Sequence, residues 1–384
     1  MLKGHDLFPN HERWPVDYGL MAAIAILMTL GLTMVFSASI AISEQRFGSP
    51  FHYLLRQAFA MGLGTFAALL VFRVPLVFWE KKRQLLLLIG LASLLLVLWV
   101  GREINGSKRW LPLGLMNFQV SEFMKIVVII FLAGYLDRHA EAVRENFQAV
   151  IRLALPFGLT AMLLLLEPDF GSTFVIAVVI TGMLLIAGAP WRYFVIAVVP
   201  MATFLAIMVV TSPYRMQRVT SFLDPWADPF GKGYQLSQAL IASGRGYWDG
   251  VGLGESVQKL LYLPDAHTDF LFSIFAEEFG FLGVVVLVAL YLFMVFRIFA
   301  IGRRALEKGL FFGGMIAYGV GIWIILQAFI NMGVNLGLFP TKGLTLPLMS
   351  YGGSSALLIL IALGIVFRVD YETRQLEMKR EEHA

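Results

Sequence analysis

Residues 271–297 read LFSIFAEEFGFLGVVVLVALYLFMVFR, an apolar run whose only charges before its final arginine are Glu277 and Glu278. A run of this length can cross the hydrocarbon core of a bilayer as a helix. The stretch before it, LPDAHTDF at 263–270, carries three ionisable side chains. Ionisable groups beside a membrane helix are costly and are commonly functional, so this junction is the first candidate site.

Similar apolar runs recur along the whole chain. Hydrophobic residues make up 58% of the sequence and charged residues only 15%, and the mean hydropathy is +0.76. Because a soluble domain carries about one-quarter charged residues, this composition excludes that class. The chain is predicted to be an all-α polytopic membrane protein with about ten transmembrane helices. They are expected at residues 16–40, 53–72, 84–100, 119–136, 150–166, 170–188, 193–211, 271–297, 314–334 and 350–368.

Several classes of site are excluded by composition. Cysteine is absent, which rules out disulfides, thiol nucleophiles and thiolate metal sites. The six histidines are scattered without metal-ligand spacing, so no metal site is predicted. The first apolar run is too long for the core of a signal peptide and is expected to remain as a helix. The small net charge of +4 does not suggest nucleic acid as a partner.

Lysine and arginine set the expected orientation, because cationic loops resist translocation. With both termini in the cytoplasm, roughly 18 cationic residues fall on that side and roughly 7 in the short outer loops. One membrane domain is predicted over 1–384, with a cytoplasmic N-terminus at 1–15, an outer loop at 212–270 between helices seven and eight, and a cytoplasmic tail at 369–384. The aromatics and mixed charges of the outer loop favour an ordered, functional segment.

Polar candidates collect on the expected outer side. Glu122 and Lys125 stand three residues apart near the start of the fourth helix and share one of its faces. They either line a pocket or neutralise each other, since charges in a membrane normally pair. Trp110 is either a pocket residue or part of the interfacial aromatic belt. The sequence from Glu167 to Asp169 favours a sharp turn with a capping aspartate.

Two further loops supply cations. The outer loop contains Arg218 and five glycines at 244–254. Glycine-rich turns can cradle phosphate with their N–H groups, although glycines that only redirect the chain are commoner. Lys342, in the loop before the last helix, suits either an anionic head group or an interfacial anchor.

The stretch before residue 271 is expected to open a helix. Pro264 suits the first helical position, which would place Asp265 and Asp269 one turn apart on the same side. Asp265 then fits a role in compensating the helix dipole. Asp269 lies deeper and is the better candidate for a general base. His267 is expected to hydrogen-bond the nearby carboxylates.

Several stretches are distinctive when they are taken together. They are PTKGLTLPL at 340–348, SYGGSS at 350–355, QKL at 258–260, LP at 263–264 with AHTDF at 266–270, and TSFLDPW at 220–226. In these motifs, and from its first helix to its last, the chain resembles the SEDS family (shape, elongation, division and sporulation). Residues 341–345 are closer to the division branch, of the FtsW type, than to the elongation branch, of the RodA type. Asp265 departs from the Glu that is more usual after that proline.

The resemblance implies a peptidoglycan glycosyltransferase that polymerises lipid II at the division septum, on the outer face of the bacterial plasma membrane. The acceptor 4-hydroxyl would attack the donor anomeric carbon, with inversion and release of undecaprenyl pyrophosphate. Asp269 matches the essential aspartate of the family and would act as general base. Lys342, Lys125 or an outer-loop arginine such as Arg218, with or without a divalent cation (Mg or Mn), would stabilise the departing pyrophosphate.

The resemblance also implies the remaining pocket residues and the partners. Trp110, Glu122, His267 and Ser350 lie in its motifs or match pocket positions. The expected partners are a class B penicillin-binding transpeptidase of the FtsI type and division regulators of the FtsQ, FtsL and FtsB type.

Two other functions remain open at this stage. A lipid II flippase also suits ten helices with inward polar groups, but transporters commonly show internal repeats and midplane sites. This sequence shows no repeat between its halves, and its polar groups lie at one rim, which disfavours transport. A non-catalytic scaffold for the transpeptidase would make the rim acids dispensable.

Overall fold

The computed structural model describes residues 16–104, 107–112, 117–193, 222–340 and 343–382, together with residues 195, 207, 210 and 216. The predicted N-terminal segment 1–15 lies outside them. Within these ranges the elements are α1 (Tyr18–Phe47), α2 (His52–Phe72), α3 (Leu76–Val100), β1 (Arg102–Ile104), β2 (Ser107–Pro112), β3 (Asn117–Gln119), α4 (Val120–Glu145), α5 (Phe147–Ile151), α6 (Ala154–Leu166), α7 (Phe170–Ile186), α8 (Tyr234–Arg245), α9 (Leu271–Glu307), α10 (Phe311–Asn335) and α11 (Gly353–Glu382).

The helices form a multi-pass membrane protein, which confirms the predicted class. In the described part of the chain, seven helical segments are long and apolar enough to cross a bilayer: α1, α2, α3, α5 with α6, α9, α10 and α11. Helix α7 is apolar but shorter. The predicted spans coincide with helices of the structure, except for 193–211, which lies largely outside the described residues. The side of the membrane that each end occupies stays a prediction.

Helices α4 and α10 form the centre of the bundle. Helix α10 packs against α4, α7 and α9, and α11 packs against α2. Small residues allow these contacts: a Cβ on Gly314 of α10 would lie 2.9 Å from the backbone carbonyl oxygen of Gly302 in α9. Close approach through glycine is a common way to pack membrane helices.

Several helices are longer than predicted, and in two of them charged residues are buried in the added part. Helix α3 begins before residue 84, and Arg83 within it is buried and donates to the carbonyl of Glu80. Helix α11 continues past residue 368 because Asp370 is buried and pairs with Arg304 of α9 at 3.0 Å. The helix therefore continues into the segment predicted as the tail, through Glu382.

A small antiparallel sheet, in the order β1-β2-β3, leads from α3 into α4. Trp110 of β2 is paired with Arg102 on one side and Gln119 on the other. Sequence reasoning expected only a loop here, because strands of three to six residues carry little periodic signal. The sheet fixes β2 over the start of α4.

The long segment before α9 is folded against that helix. Helix α9 is broken at Gly280, where φ is +64°. The segment from Tyr247 to Val251 packs into the break: Val251 N–H donates to the Glu277 carbonyl at 3.0 Å, and Phe281 N–H donates to the Tyr247 carbonyl at 2.8 Å. The glycines here serve close backbone approach, since a Cβ on Gly280 would collide with the backbone nitrogen of Gly250.

Candidate active site

Asp269 lies in a turn before α9 and not in a helix. The prediction that Pro264 begins the helix is wrong, since α9 begins at Leu271. Asp265 has a φ of +52°, in the left-handed region, and its carbonyl accepts from Thr268 N–H at 3.0 Å and Phe270 N–H at 3.3 Å. A left-handed residue closes a tight turn and cannot continue a helix. Asp265 is exposed, whereas Asp269 is half-buried.

The backbone of Asp269 is fixed by two amides of α10. The side chains of Asn331 and Asn335 donate to its carbonyl at 2.9 and 3.0 Å. Asn331 also donates to the carbonyl of Leu344 at 2.6 Å, and Asn335 accepts from Ser273 at the start of α9. Polar residues inside a membrane helix are expensive and commonly functional. These two hold the catalytic candidate in register with the following loop.

The carboxylate of Asp269 faces the loop that contains Gly343. A Cβ built on Gly343 would lie 3.0 Å from Oδ2 of Asp269, so glycine leaves room at this position. Within the described ranges, no side chain or N–H group donates to this carboxylate. Lys342 precedes Gly343 directly in sequence and lies outside the described residues.

Burial and the neighbouring charges both shift the pKa of the Asp269 carboxyl. Burial, and then the negative charge of Asp265, raise the pKa of Asp269 to about 7, while Arg109 opposes the rise. A general base works best when its pKa lies near the working pH, because it is then both ionised and basic. This pKa is compatible with the predicted role of Asp269 as a general base.

Arg109 ties β2 to the turn between α6 and α7. Its Nε donates to the Glu167 carbonyl at 3.1 Å and its Nη2 donates to the Pro168 carbonyl at 2.6 Å. The Glu167 carboxyl is buried, and neither of its oxygens has a partner among the described residues. Burial and the neighbouring Asp169 raise the pKa of Glu167 to about 8. Asp169 caps α7 by accepting from Ser172 N–H at 3.1 Å, which confirms the predicted capping turn.

Glu122 and Lys125 form an ion pair below this surface. Their side chains are only 3% and 1% exposed and contact each other directly, as the neutralising interpretation expected. Lys125 also donates to Gln327 of α10 at 2.8 Å, and Gln327 donates to the Thr345 carbonyl at 3.0 Å. Ser355 of α11 donates to Glu122 at 3.3 Å. The pair thus supports the loop that faces Asp269.

The other predicted pocket residues surround the same turn. His267 is buried, and its ring packs 4.5 Å from Tyr53 and 5.6 Å from Tyr351. Burial, and then Arg46, lower the pKa of His267 to about 4, so the ring is neutral. No hydrogen bond joins it to a carboxylate within the residues described, contrary to the expectation. Ser350 fixes a turn by accepting from Leu346 N–H at 3.0 Å.

Two predicted residues lie outside the described part of the chain, and several residues that support the site were not predicted. Arg218 lies outside the described residues, as Lys342 does. The sequence analysis did not single out Arg109, Asn331 or Gln327. The two amides lie inside an apolar helix, and polar residues in such a helix are commonly functional, so they could have been found from the sequence. Across the described ranges, no three His, Cys, Asp or Glu side chains come together in a way that could hold a metal ion.

Comparison with known proteins supplies a family. The family of cell cycle proteins FtsW, RodA and SpoVE matches residues 18–375. A protein of Hydrogenovibrio crunogenus, named "probable peptidoglycan glycosyltransferase FtsW", is 73% identical over 364 residues, 95% of this chain and 94% of that protein.

Two solved structures have the same fold. The rod shape determining protein RodA of Thermus thermophilus is 30% identical, with a TM-score of 0.69 over 94% of this chain and 98% of that one. A chain from a peptidoglycan synthase complex, studied for the coordination of polymerization and crosslinking, is 31% identical, with a TM-score of 0.77 over 94% of this chain and 99% of that one.

Proposed function

The chain belongs to the SEDS family of FtsW, RodA and SpoVE cell cycle proteins, and we propose that it is a peptidoglycan glycosyltransferase that polymerises lipid II during division. The high identity to a protein named FtsW over nearly the whole of both chains supports this activity. The enzyme works in the bacterial plasma membrane at the septum, with its active site on the outer face.

The reaction is a displacement at the anomeric carbon of the donor sugar. The 4-hydroxyl of the acceptor sugar attacks this carbon, and the bond from the carbon to the pyrophosphate oxygen breaks with inversion. The electron pair of that bond leaves with undecaprenyl pyrophosphate. Asp269 takes the proton of the attacking hydroxyl, the role of a general base.

The single observation that carries this assignment is the state of the Asp269 carboxylate. Its backbone is fixed by Asn331 and Asn335, while no group in the described ranges occupies its oxygens. Structural carboxylates in proteins are normally paired or capped, as Asp169 and Glu122 are here. An anchored carboxylate that pairs with no described group, and whose pKa is about 7, is suited to take a proton from a substrate.

Cations stabilise the leaving pyrophosphate. Lys342 is adjacent in sequence to the glycine that faces Asp269, which supports its role at the pyrophosphate; Arg218 of the outer loop is a second candidate. Trp110, His267 and Ser350 shape the pocket, and Glu122 with Lys125 supports its floor. The activity is coupled to a class B penicillin-binding transpeptidase of the FtsI type and to regulators of the FtsQ, FtsL and FtsB type.

The decisive experiment uses the purified protein with its transpeptidase partner and labelled lipid II, and it resolves the products by gel electrophoresis. Wild-type protein is expected to make glycan strands, and Asp269→Asn is expected to make none while keeping its thermal unfolding temperature. Asp265→Asn, two positions before His267 in the same turn, is the matched control and should retain polymerisation.

The rival functions predict other results in this experiment. A scaffold would give no glycan strands from the wild-type protein, because it has no catalytic activity. A flippase would give none either, since it only moves lipid II and detergent micelles offer no second compartment. Normal strands from Asp269→Asn would end the general-base assignment.

A further inference from the structure

We infer that the outer ends of α1 and α2 form a second anion-binding site, at which Arg46 and Arg56 hold the pyrophosphate of a second lipid-linked saccharide. This inference rests on the proposed function and deepens it. The reaction joins two molecules that both carry a polyprenyl pyrophosphate, and only one of them loses it. Cations for the leaving group therefore serve one pyrophosphate, and the other needs a site of its own.

Arg46 and Arg56 lie beside the turn that carries Asp269. Arg46 is close enough to His267 for its charge to lower the pKa of that ring. Arg56 precedes Gln57, whose side-chain amide donates to the Ser350 carbonyl at 3.1 Å and accepts from Gly352 N–H at 3.2 Å. The charge of Arg56 opposes the rise that burial causes in the pKa of the Tyr351 hydroxyl. The backbone of Tyr351 donates to the His267 carbonyl at 2.9 Å, so both arginines border one connected unit two residues from Asp269.

Both arginine side chains are exposed, and neither forms an ion pair with a carboxylate among the described residues. In the described part of the chain, no carboxylate lies within ion-pair distance of either side chain, including Glu44 of the same helix end and Asp265 of the adjacent turn. Seven other arginines in these ranges do pair with carboxylates, as Arg297 does with Asp17. Arginine offers several N–H donors in a planar fork that matches the oxygens of phosphate.

An aromatic cluster forms the wall behind these arginines. Its members are Phe47, His52, Tyr53, His267 and Tyr351. Phe47 stacks on His52 with ring centroids 3.6 Å apart, and Tyr53 contacts Tyr351 at 5.1 Å. Phe47 is 49% exposed, so the cluster presents apolar ring surface beside the cations. Rings next to a phosphate-binding fork suit a ligand that carries both a sugar and a phosphate.

This site is separate from the cations on the other side of the turn. Arg109 belongs to β2, which packs on α3 and α4, whereas α2 packs on α1 and α11. Arg109 also donates hydrogen bonds to the carbonyls of Glu167 and Pro168. Arg109 on β2 and the arginine pair on α1 and α2 thus lie on different sides of the proposed general base. Two separate cationic groups match a reaction between two anionic lipids.

The test replaces Arg46 and Arg56 with glutamine, singly and together, in the full-length protein with its transpeptidase partner in lipid nanodiscs. Arg73→Gln is the matched control, because Arg73 is an exposed arginine at the opposite end of α2. The variants are expected to raise KM for lipid II about tenfold, the effect of losing one charged hydrogen bond, while Arg73→Gln leaves it unchanged. Arg56→Lys keeps the charge, and its KM for lipid II should lie between those of the wild type and Arg56→Gln.

Binding is measured separately in the Asp269→Asn background with labelled lipid II. Two equivalents are expected to bind, and the Arg46→Gln/Arg56→Gln double variant should bind one. A chain that binds two equivalents but makes no polymer would contradict the proposed function and leave the second site standing.

Anionic phospholipid head groups offer the same phosphate chemistry, so each measurement is made in nanodiscs of phosphatidylcholine alone and with phosphatidylglycerol. An effect of the substitutions in both supports a site for the lipid-linked saccharide. An effect confined to phosphatidylglycerol discs would assign the arginines to phospholipid and overturn the inference. Unchanged KM and stoichiometry in the double variant would overturn it as well.

Discussion

The side-chain amide of Asn331 joins the backbone carbonyl of Asp269, at 2.9 Å, to that of Leu344, at 2.6 Å. One residue of α10 therefore sets the distance between the turn that carries the carboxylate and the loop that faces it. The membrane-embedded helices act as the rigid support, and the two polar segments are positioned on their ends. A small displacement of reacting groups can cost a large factor in rate.

Asn331→Ala is expected to lower the turnover of lipid II by about 10- to 100-fold, because both segments lose their common hydrogen-bond donor. Initial rates at saturating lipid II check this, and thermal unfolding in detergent tests whether the fold survives. Asn146→Ala is the control, since Asn146 caps the short helix α5 away from the site. Wild-type turnover in Asn331→Ala would show that the tie is dispensable.

The pH dependence of polymerisation follows from the pKa of Asp269, which is about 7. A base must be ionised to work, so kcat/KM should rise with pH through about 7 and fall below it. Asp265→Asn removes a negative charge that raises this pKa, and the acidic limb should move to lower pH. Arg109→Gln removes a positive charge that lowers it, and the limb should move to higher pH.

The opposite directions of these two shifts make the assignment specific. Initial rates over a range of pH, at low lipid II concentration, provide the profile for the wild type and both variants. A limb that stays fixed in both variants would mean that a group other than Asp269 controls the rate.

Single substitutions in the buried pair of Glu122 and Lys125 are expected to lower the stability of the fold more than the double substitution does. Glu122→Gln or Lys125→Met alone leaves an uncompensated buried charge, which costs about 3–5 kcal/mol of stability. The double variant Glu122→Gln/Lys125→Met removes both charges and should recover most of the loss. A double-mutant cycle of unfolding temperatures measures the coupling, and simple additivity of the two losses would contradict a direct pair.

The helices were predictable because their signal is local. Runs of apolar residues long enough to span a bilayer define α1 or α9 without reference to any neighbour. The ends of helices were less predictable, since α11 extends over charged residues only because Arg304 of another helix pairs with Asp370. Such pairing between distant segments leaves no periodic pattern in the sequence.

The carboxylate of the candidate site could be predicted from the sequence, but the residues that hold it in place could not. Asp269 was identified from its position and from the family motif, and its role stays a prediction. Asn331 and Arg109 act by touching carbonyl groups that are 62 and 58 residues away, which a single sequence does not reveal. The left-handed backbone conformation of Asp265 was also not predicted, because a proline such as Pro264 is equally typical of the start of a helix and of a turn.

The break in α9 is expected to depend on Gly280. Gly280→Ala would place a side chain at φ +64° and ψ −167°, a region almost restricted to glycine, at a cost of about 1–3 kcal/mol, and would press its Cβ against Gly250. The segment from Tyr247 to Val251 should then detach, which predicts a lower unfolding temperature and faster protease cleavage between residues 246 and 260. Gly62→Ala in α2 is the matched control, because nothing lies within 4 Å of its Cβ position and alanine favours a helix by about 1 kcal/mol. Equal unfolding temperatures and equal cleavage rates in the two variants would show that the segment does not rely on this break.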